Sequence, residues 1–210
     1  MTVCRCNHDY RRSRSSGQLL VIAQYRVNTD DGLIEQARLC PSPNCDDRPE
    51  GAEPDLLIIH GISLPPGEFG GPEIEDLFMN RLDWDAHEYF SSICGLEVSA
   101  HLLIRRDGEL IQFVPFTHRA WHAGASQFRG RDCCNDFSIG IELEGEDETP
   151  YSDSQYEVLI AATREILAAY SGLSARRIAA HSDLSPGRKS DPGPAFDWLR
   201  LYDGLGQGMS

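Results

Sequence analysis

The sequence predicts a mixed α/β domain, in which strands, a hairpin and helices alternate along the chain. Two short aliphatic runs, 56–60 (LLIIH) and 177–181 (RIAAH), indicate buried strands. Two β-rich runs within 101–116 flank an Asp-Gly turn and indicate a hairpin. Residues 154–170 carry apolar side chains at helical spacing. Interleaved elements of both kinds are typical of the mixed α/β class.

The remaining elements follow from the same patterns. Residues 137–145 (FSIGIELEG) alternate strictly, so that the apolar side chains of a strand face one way and Ser138, Gly140, Glu142 and Glu144 the other. A shorter helix is predicted over 73–82. For the long helix, Ser154 and Glu157 fit an N-terminal capping box, and a glycine follows its end.

Composition limits the kinds of partner. The chain has 210 residues, enough for one domain, and a net charge of −14. Such an acidic chain lacks the clustered Lys and Arg that phosphate backbones need, which argues against nucleic acid. It also offers no polybasic surface for anionic lipid. No feature indicates an obligate protein partner, and a small polar ligand is favoured.

The chain has seven cysteines without the spacing of a disulfide framework, which predicts reduced thiols in a cytoplasmic protein. The apolar run near the start is only five residues long, and no apolar stretch approaches 18 residues, so no signal peptide or membrane span is expected. Residues 1–28 are polar, Arg-rich and without sustained periodicity. We expect them to form a poorly ordered N-terminal extension, with the domain proper at 29–210.

Two histidines and an aspartate suggest a metal site. His60 and His181 each end an apolar strand, and Asp191 follows in a loop rich in Pro, Gly and Ser. Two imidazoles and one carboxylate are a typical ligand set for catalytic zinc. Such a site also needs a proton carrier and a cation for the oxyanion. Glu142 is the candidate for the first, and Lys189, the only lysine among 19 basic residues, for the second.

Each of these assignments has a structural alternative. A histidine that ends a strand is more often a core residue than a ligand, and alternating acidic residues on a strand often mark a solvated face. The other histidines of the domain are rival ligands: His87, His101, His118 and His122. Of these, His101 could equally be a core histidine with a backbone partner. Cys4, Cys6 and His8 make a weaker case for a structural zinc. The residues alone lead as far as a candidate zinc hydrolase, without a substrate.

Five segments carry a resemblance to a known family. In order along the chain they are LLIIHGISLPPGEFGG, VSAHLLIRRDGELIQFVPF, RAWHAG, CNDFSIGIELEG and RKSDPGPAFDW. Together, from about residue 29 to about residue 203, they resemble the cytoplasmic 1,6-anhydro-N-acetylmuramyl-L-alanine amidases. The resemblance implies the zinc amidase fold that is shared with phage lysozyme-type amidases and peptidoglycan recognition proteins. That fold has a central mixed β-sheet packed with helices.

The resemblance also implies residue roles. His60, His181 and Asp191 match the ligands of one Zn²⁺ per chain, Glu142 matches the catalytic carboxylate, and Lys189 matches the cation near the tetrahedral oxygen. A substrate groove would be bordered by four further residues: Trp121, His122, Ala123 and Gly124. The implied reaction is hydrolysis of the amide between the lactyl group of anhydro-N-acetylmuramic acid and the L-alanine of the stem peptide, in soluble muropeptides. In the family this step recycles peptidoglycan.

Three positions depart from the family pattern. Gly61 stands where the family commonly has Asn, Ser182 where Cys is frequent, and Cys133 where some relatives carry Arg. These departures concern the expected substrate contacts more than the metal site. Two alternatives to the leading function stay open: an amidase for polymeric peptidoglycan, which would need export or a wall-binding module, and a muropeptide sensor without catalysis. Sensors of this fold often lack the third ligand, whereas this chain keeps Asp191.

Overall fold

The computed structural model describes residues 25–206. The strands are β1 Val27–Asn28, β2 Leu33–Ile34, β3 Arg38–Leu39, β4 Cys45–Asp47, β5 Leu56–Ile62, β6 Leu102–Ile104, β7 Leu110–Gln112, β8 His118–Ala120, β9 Gln127–Phe128, β10 Arg131–Asp132, β11 Ser138–Glu144 and β12 Ile178–Ala180. The helices are α1 Glu73–Phe78, α2 Glu88–Ser92, α3 Asp153–Ala169, α4 His181–Leu184 and α5 Trp198–Gly204. Short 3₁₀ turns occupy Cys134–Phe137 and Ala175–Arg177.

Six strands form the central sheet, in the order β12-β5-β11-β6-β7-β3. The first four are parallel, β6 and β7 are the predicted antiparallel hairpin, and β3 runs parallel to β7. Three two-stranded pairs, β1-β2, β4-β8 and β9-β10, lie beside it. The predicted mixed α/β class with a central mixed sheet is therefore confirmed.

The long strand β11 shows why the sheet needs cover on both faces. All seven of its residues are buried. Its aliphatic side chains join one cluster with Tyr156, Leu159 and Ile166 of α3, as the predicted alternation requires. The opposite face holds Glu142 and Glu144, which are 8% and 1% exposed, so it is not the solvated face considered as the alternative. A central parallel strand is buried on both sides, and its polar residues must then find specific partners.

The N-cap of α3 lies two residues earlier than predicted, at Ser152 instead of Ser154. The capping box consists of Ser152 and Gln155: the Ser152 hydroxyl accepts from the Gln155 N–H at 3.1 Å, and the Gln155 amide oxygen accepts from the Ser152 N–H at 3.0 Å. The Ser152 hydroxyl also donates to the Arg106 carbonyl at 2.6 Å. This tertiary contact favours Ser152 over the predicted pair of Ser154 and Glu157.

Other element ends differ by a few residues. Helix α1 stops at Phe78 rather than at 82, because Asn80 adopts a left-handed φ of 56°. β5 continues past His60 to Ile62, so that His60 lies within the strand. His181 opens α4 instead of ending the strand before it.

The N-terminal boundary concerns only a few described residues. Tyr25 is 7% exposed and joins the core cluster that includes Ile34, and β1 pairs with β2. Residues 25–28, which the sequence assigned to the extension, therefore pack on the domain. Residues 1–24 lie outside the described range, and the predicted extension stays a prediction. Within 25–206, no helix combines the length and apolar character that crossing a membrane requires.

Candidate metal and active site

Strand register brings three of the predicted site residues into one row. His60 on β5 is the pairing partner of Glu142 on β11. On the other side of β5, Ala180 pairs with Ile59, so His181 follows at the level of His60. The three strands are parallel, and all three side chains lie near their carboxyl ends. This edge of a parallel sheet is where clefts form.

Asp191 completes a cluster of metal-ligating atoms. The Nδ1 atoms of His60 and His181 are 3.0 Å apart, and Asp191 Oδ2 lies 3.2 and 3.0 Å from them. The ligand atoms of these three residues all lie within 4.8 Å of one another. They stand at a cleft of about 680 Å³. Three N and O donors that converge on one point, with access from a cleft, fit a zinc ion with an open coordination position.

The charge states of two of these residues suit a cation. Burial lowers the pKa of His60 to about 4, which keeps the imidazole neutral at pH 7. Burial alone would raise the pKa of Asp191, but hydrogen bonds from His181 and His60 outweigh it and hold that pKa well below its ordinary value. Neutral imidazole and ionised carboxylate are the forms that bind metals.

Glu142 lies beside this cluster. Its Oε1 is 3.9 Å from His60 Nδ1, and its buried Oε2 has no partner among the described residues. Burial first, and then the negative charge of Asp191, raises the pKa of Glu142 well above its ordinary value, while Lys189 opposes the shift. A carboxyl group with a raised pKa, aimed into a cleft, is suited to carry a proton.

Lys189 lies on the turn that leads to Asp191. Its backbone N–H donates to the Ser185 carbonyl at 3.1 Å, and the exposed residue lines the cleft. Within the described part of the chain, the Lys189 ammonium enters no ion pair at 4.0 Å or less. The structure thus brings all five predicted metal and catalytic residues to one cleft.

The four residues predicted to border the substrate differ in their burial and in their contacts. His122 lines the cleft. Trp121 donates from its indole to Asp46 at 3.2 Å, and Ala123 is fully buried. Gly124 lies next to the Arg188 guanidinium. Their predicted contact with substrate stays a prediction.

The rival histidines have other partners. His87 caps α2 through Nδ1, which accepts from the Tyr89 N–H at 3.0 Å. His101 is fully buried, accepts from the Gly140 N–H at 3.0 Å and lies 3.1 Å from the His118 carbonyl, which confirms it as a core histidine with backbone partners. Neither belongs to the metal-ligating cluster found within residues 25–206. Cys4, Cys6 and His8 fall outside the described residues.

Sequence reasoning missed the residues whose contacts fix the loops around the site. The Tyr151 hydroxyl donates to the Pro192 carbonyl at 2.9 Å and so fixes the loop of Asp191. A Cβ at Gly61 would collide with this hydroxyl, which explains why glycine suits the departure at that position. Arg188 donates to the Ala123 and Ala125 carbonyls at 2.9 and 2.8 Å. These contacts reach backbone carbonyls, which leave no signature in a sequence.

Comparisons with known proteins agree with this site. A family model described as N-acetylmuramoyl-L-alanine amidase matches residues 50–194. The 1,6-anhydro-N-acetylmuramyl-L-alanine amidase AmpD of Enterobacter cloacae is 57% identical over 173 residues, which cover 82% of this chain and 92% of the relative. The crystal structure of a selenomethionine AmpD derivative matches with a TM-score of 0.82 at 53% identity, covering 84% of this chain and 98% of that one.

A more distant structure holds a ligand. It is the complex of the amidase AmiD from E. coli with the substrate anhydro-N-acetylmuramic acid-L-Ala-D-gamma-Glu-L-Lys, at 29% identity and a TM-score of 0.54, covering 78% of this chain and 62% of that one. The predicted family and the predicted amidase class are confirmed. The chain belongs to the N-acetylmuramoyl-L-alanine amidase family and, within it, to the AmpD-type amidases.

Proposed function

We propose that this chain is a cytoplasmic, zinc-dependent amidase of peptidoglycan recycling. Its substrate is a soluble anhydro-muropeptide, and it cleaves the amide between the lactyl group of anhydro-N-acetylmuramic acid and L-alanine. The observation that carries the proposal is the convergence of His60 Nδ1, His181 Nδ1 and Asp191 Oδ2 beside Glu142, whose Oε2 has no hydrogen-bond partner among residues 25–206. The activity of the AmpD relative and the muropeptide held by AmiD support the same substrate class.

His60, His181 and Asp191 would hold one zinc ion. When bound, zinc would act as a Lewis acid. It would polarise the scissile carbonyl and lower the pKa of water, so that water can lose a proton and attack near neutral pH. The residues of the chain would then orient the amide in the cleft and move the protons.

Glu142 is the proton carrier of the proposal. In ionised form its carboxylate takes a proton from the attacking water, and in neutral form it gives that proton to the departing nitrogen of L-alanine. Burial favours the neutral form, and the charge of Lys189 favours the ionised one. These opposed influences suit a group that must use both forms in one turnover.

Lys189 stabilises the negative charge that develops on the carbonyl oxygen. Its exposed ammonium on the cleft wall has no carboxylate partner among residues 25–206, so its charge is available to the substrate. A cation that acts on the transition state more than on the ground state accelerates the chemical step.

Metal content and hydrolysis of a purified anhydro-muropeptide test the proposal together. We expect one zinc per chain and release of free stem peptide for the wild type, and loss of both for Asp191→Ala. Asp85→Ala, at an exposed carboxylate outside the cleft, is the matched control and should keep both. Glu142→Gln should keep zinc and lose hydrolysis. Muropeptide binding by a wild-type chain that neither takes up zinc nor cleaves would contradict the proposal and favour a sensor.

A further inference from the structure

Two consecutive residues contact the outward nitrogens of both candidate histidine ligands. His60 Nε2 lies 2.9 Å from His122 Nδ1, and His181 Nε2 lies 3.3 Å from the Ala123 carbonyl. The Nδ1 atoms of His60 and His181 point the other way, toward Asp191. Each imidazole is therefore held between the metal-ligating cluster and the same short segment of chain.

These contacts fix the position of the ring protons. A histidine that binds metal through Nδ1 must carry its proton on Nε2. His60 then donates to His122 Nδ1, which leaves the proton of a neutral His122 on its own Nε2, 3.3 Å from the Ser138 hydroxyl. With His181 likewise bound to metal through Nδ1, the Ala123 oxygen, which can only accept, receives its Nε2–H.

Three neighbours hold the segment that carries His122. The Asn135 amide oxygen accepts from the His122 and Ala123 N–H groups at 3.2 and 2.8 Å. Arg188 donates to the Ala123 carbonyl. Gly140 leaves room for the ring, because a Cβ there would come within 2.5 Å of His122 Nδ1. Hydrogen bonds thus fix the backbone that carries His122, packing against Gly140 confines its ring, and neither involves substrate.

We propose that His122 is a positioning residue for the metal site: it accepts the Nε2–H of His60 and so fixes the tautomer and ring orientation of that ligand. The inference rests on the zinc site proposed above and adds to it a residue that touches no metal. Partners of this kind change metal affinity by about 10–100-fold when they are removed. A residue that only contacted substrate would change the KM and leave zinc affinity unaltered.

Two substitutions separate these roles. His122→Phe keeps a planar ring but has no acceptor for His60. His122→Asn places an amide oxygen near the position of Nδ1 and keeps an acceptor. The zinc Kd is measured by competition with a chromophoric chelator, and kcat and KM for an anhydro-muropeptide are measured at saturating zinc.

We expect His122→Phe to raise the zinc Kd by about 10–100-fold, and His122→Asn to stay within a few-fold of the wild type. An unchanged Kd in folded His122→Phe, with a raised KM, would overturn the inference and leave the proposed function standing. If His122→Phe does not fold, Gly140→Ala on β11 serves instead, because its Cβ would displace the His122 ring. This variant should also weaken zinc binding, and an unchanged zinc Kd for it would overturn the inference. A wild-type chain without zinc affinity would overturn both proposals.

Discussion

At the scale of single residues, the only lysine of the chain offers a sharp test. Lys189 lines the cleft, and its positive charge opposes the rise in the pKa of Glu142. Lysine presents a compact point charge on a flexible stem, whereas arginine presents a planar fork. We expect Lys189→Arg to keep zinc and lose about 10²–10³-fold in kcat, the size of effect seen when one oxyanion donor is removed.

The measurement compares kcat and zinc content for the wild type, Lys189→Arg and Lys189→Met. The methionine variant has a stem of similar length without charge, and it should lose at least as much turnover. Wild-type turnover in Lys189→Arg would show that any positive charge suffices, and wild-type turnover in Lys189→Met would remove Lys189 from the mechanism.

Sequence patterns identified the ligand candidates because zinc needs particular side chains, and those stood out at the ends of aliphatic runs. The supporting residues could not be found in this way. Tyr151, Asn135 and Arg188 act on backbone groups that come together only in the fold. The sequence indicates His122 as a rival ligand and as a substrate contact. Its contact with His60 depends on the space above Gly140, which no local pattern encodes.

At the scale of elements, the start of α3 shows where pattern reasoning stops. Ser152 with Gln155 and Ser154 with Glu157 both fit a capping box in the sequence. The choice between them depends on the Arg106 carbonyl, which lies 46 residues away in the chain and accepts from the Ser152 hydroxyl. Element type was therefore predictable, and the exact first turn was not.

This choice gives a stability prediction with a matched control. Ser152→Ala removes the acceptor for the Gln155 N–H and the donor to Arg106, and it should cost about 1 kcal/mol in the free energy of unfolding. Ser154→Ala, within the first turn, should change it by less than about 0.5 kcal/mol. Urea denaturation of both variants measures the difference. A larger loss for Ser154→Ala would reverse the assignment of the cap.

At the scale of the whole molecule, the class was predictable because aliphatic runs and helical periodicity are properties of the sequence itself. The order β12-β5-β11-β6-β7-β3 was not, because it depends on pairings between distant segments. The same arrangement gathers ionisable groups in the interior. His60, His101 and His122 are all buried, and burial is the largest cause that lowers the pKa of each. Glu142 is also buried, and burial raises its pKa.

These buried groups predict how stability depends on pH in the zinc-free protein. The histidine pKa values are depressed in the folded state, so below about pH 6.5 the three residues bind protons on unfolding. The folded state therefore loses stability as the pH falls below this value. Glu142 has a raised pKa in the folded state, so above about pH 4.5 it releases a proton on unfolding. This release opposes the proton uptake by the histidines. The three histidines outnumber Glu142, so the free energy of unfolding should fall as the pH decreases from 7 to 5.

Urea denaturation of chelator-treated protein at pH 7, 6 and 5 measures this slope. His101→Asn tests its origin, because asparagine keeps an acceptor for the Gly140 N–H but cannot take up a proton. The variant should show a shallower fall than the wild type, by at most about 1.4 kcal/mol per pH unit, which is the contribution of one proton. Free energies of unfolding that stay constant or rise between pH 7 and pH 5 would contradict the prediction. They would mean that the histidines beneath the cleft become protonated without unfolding the domain.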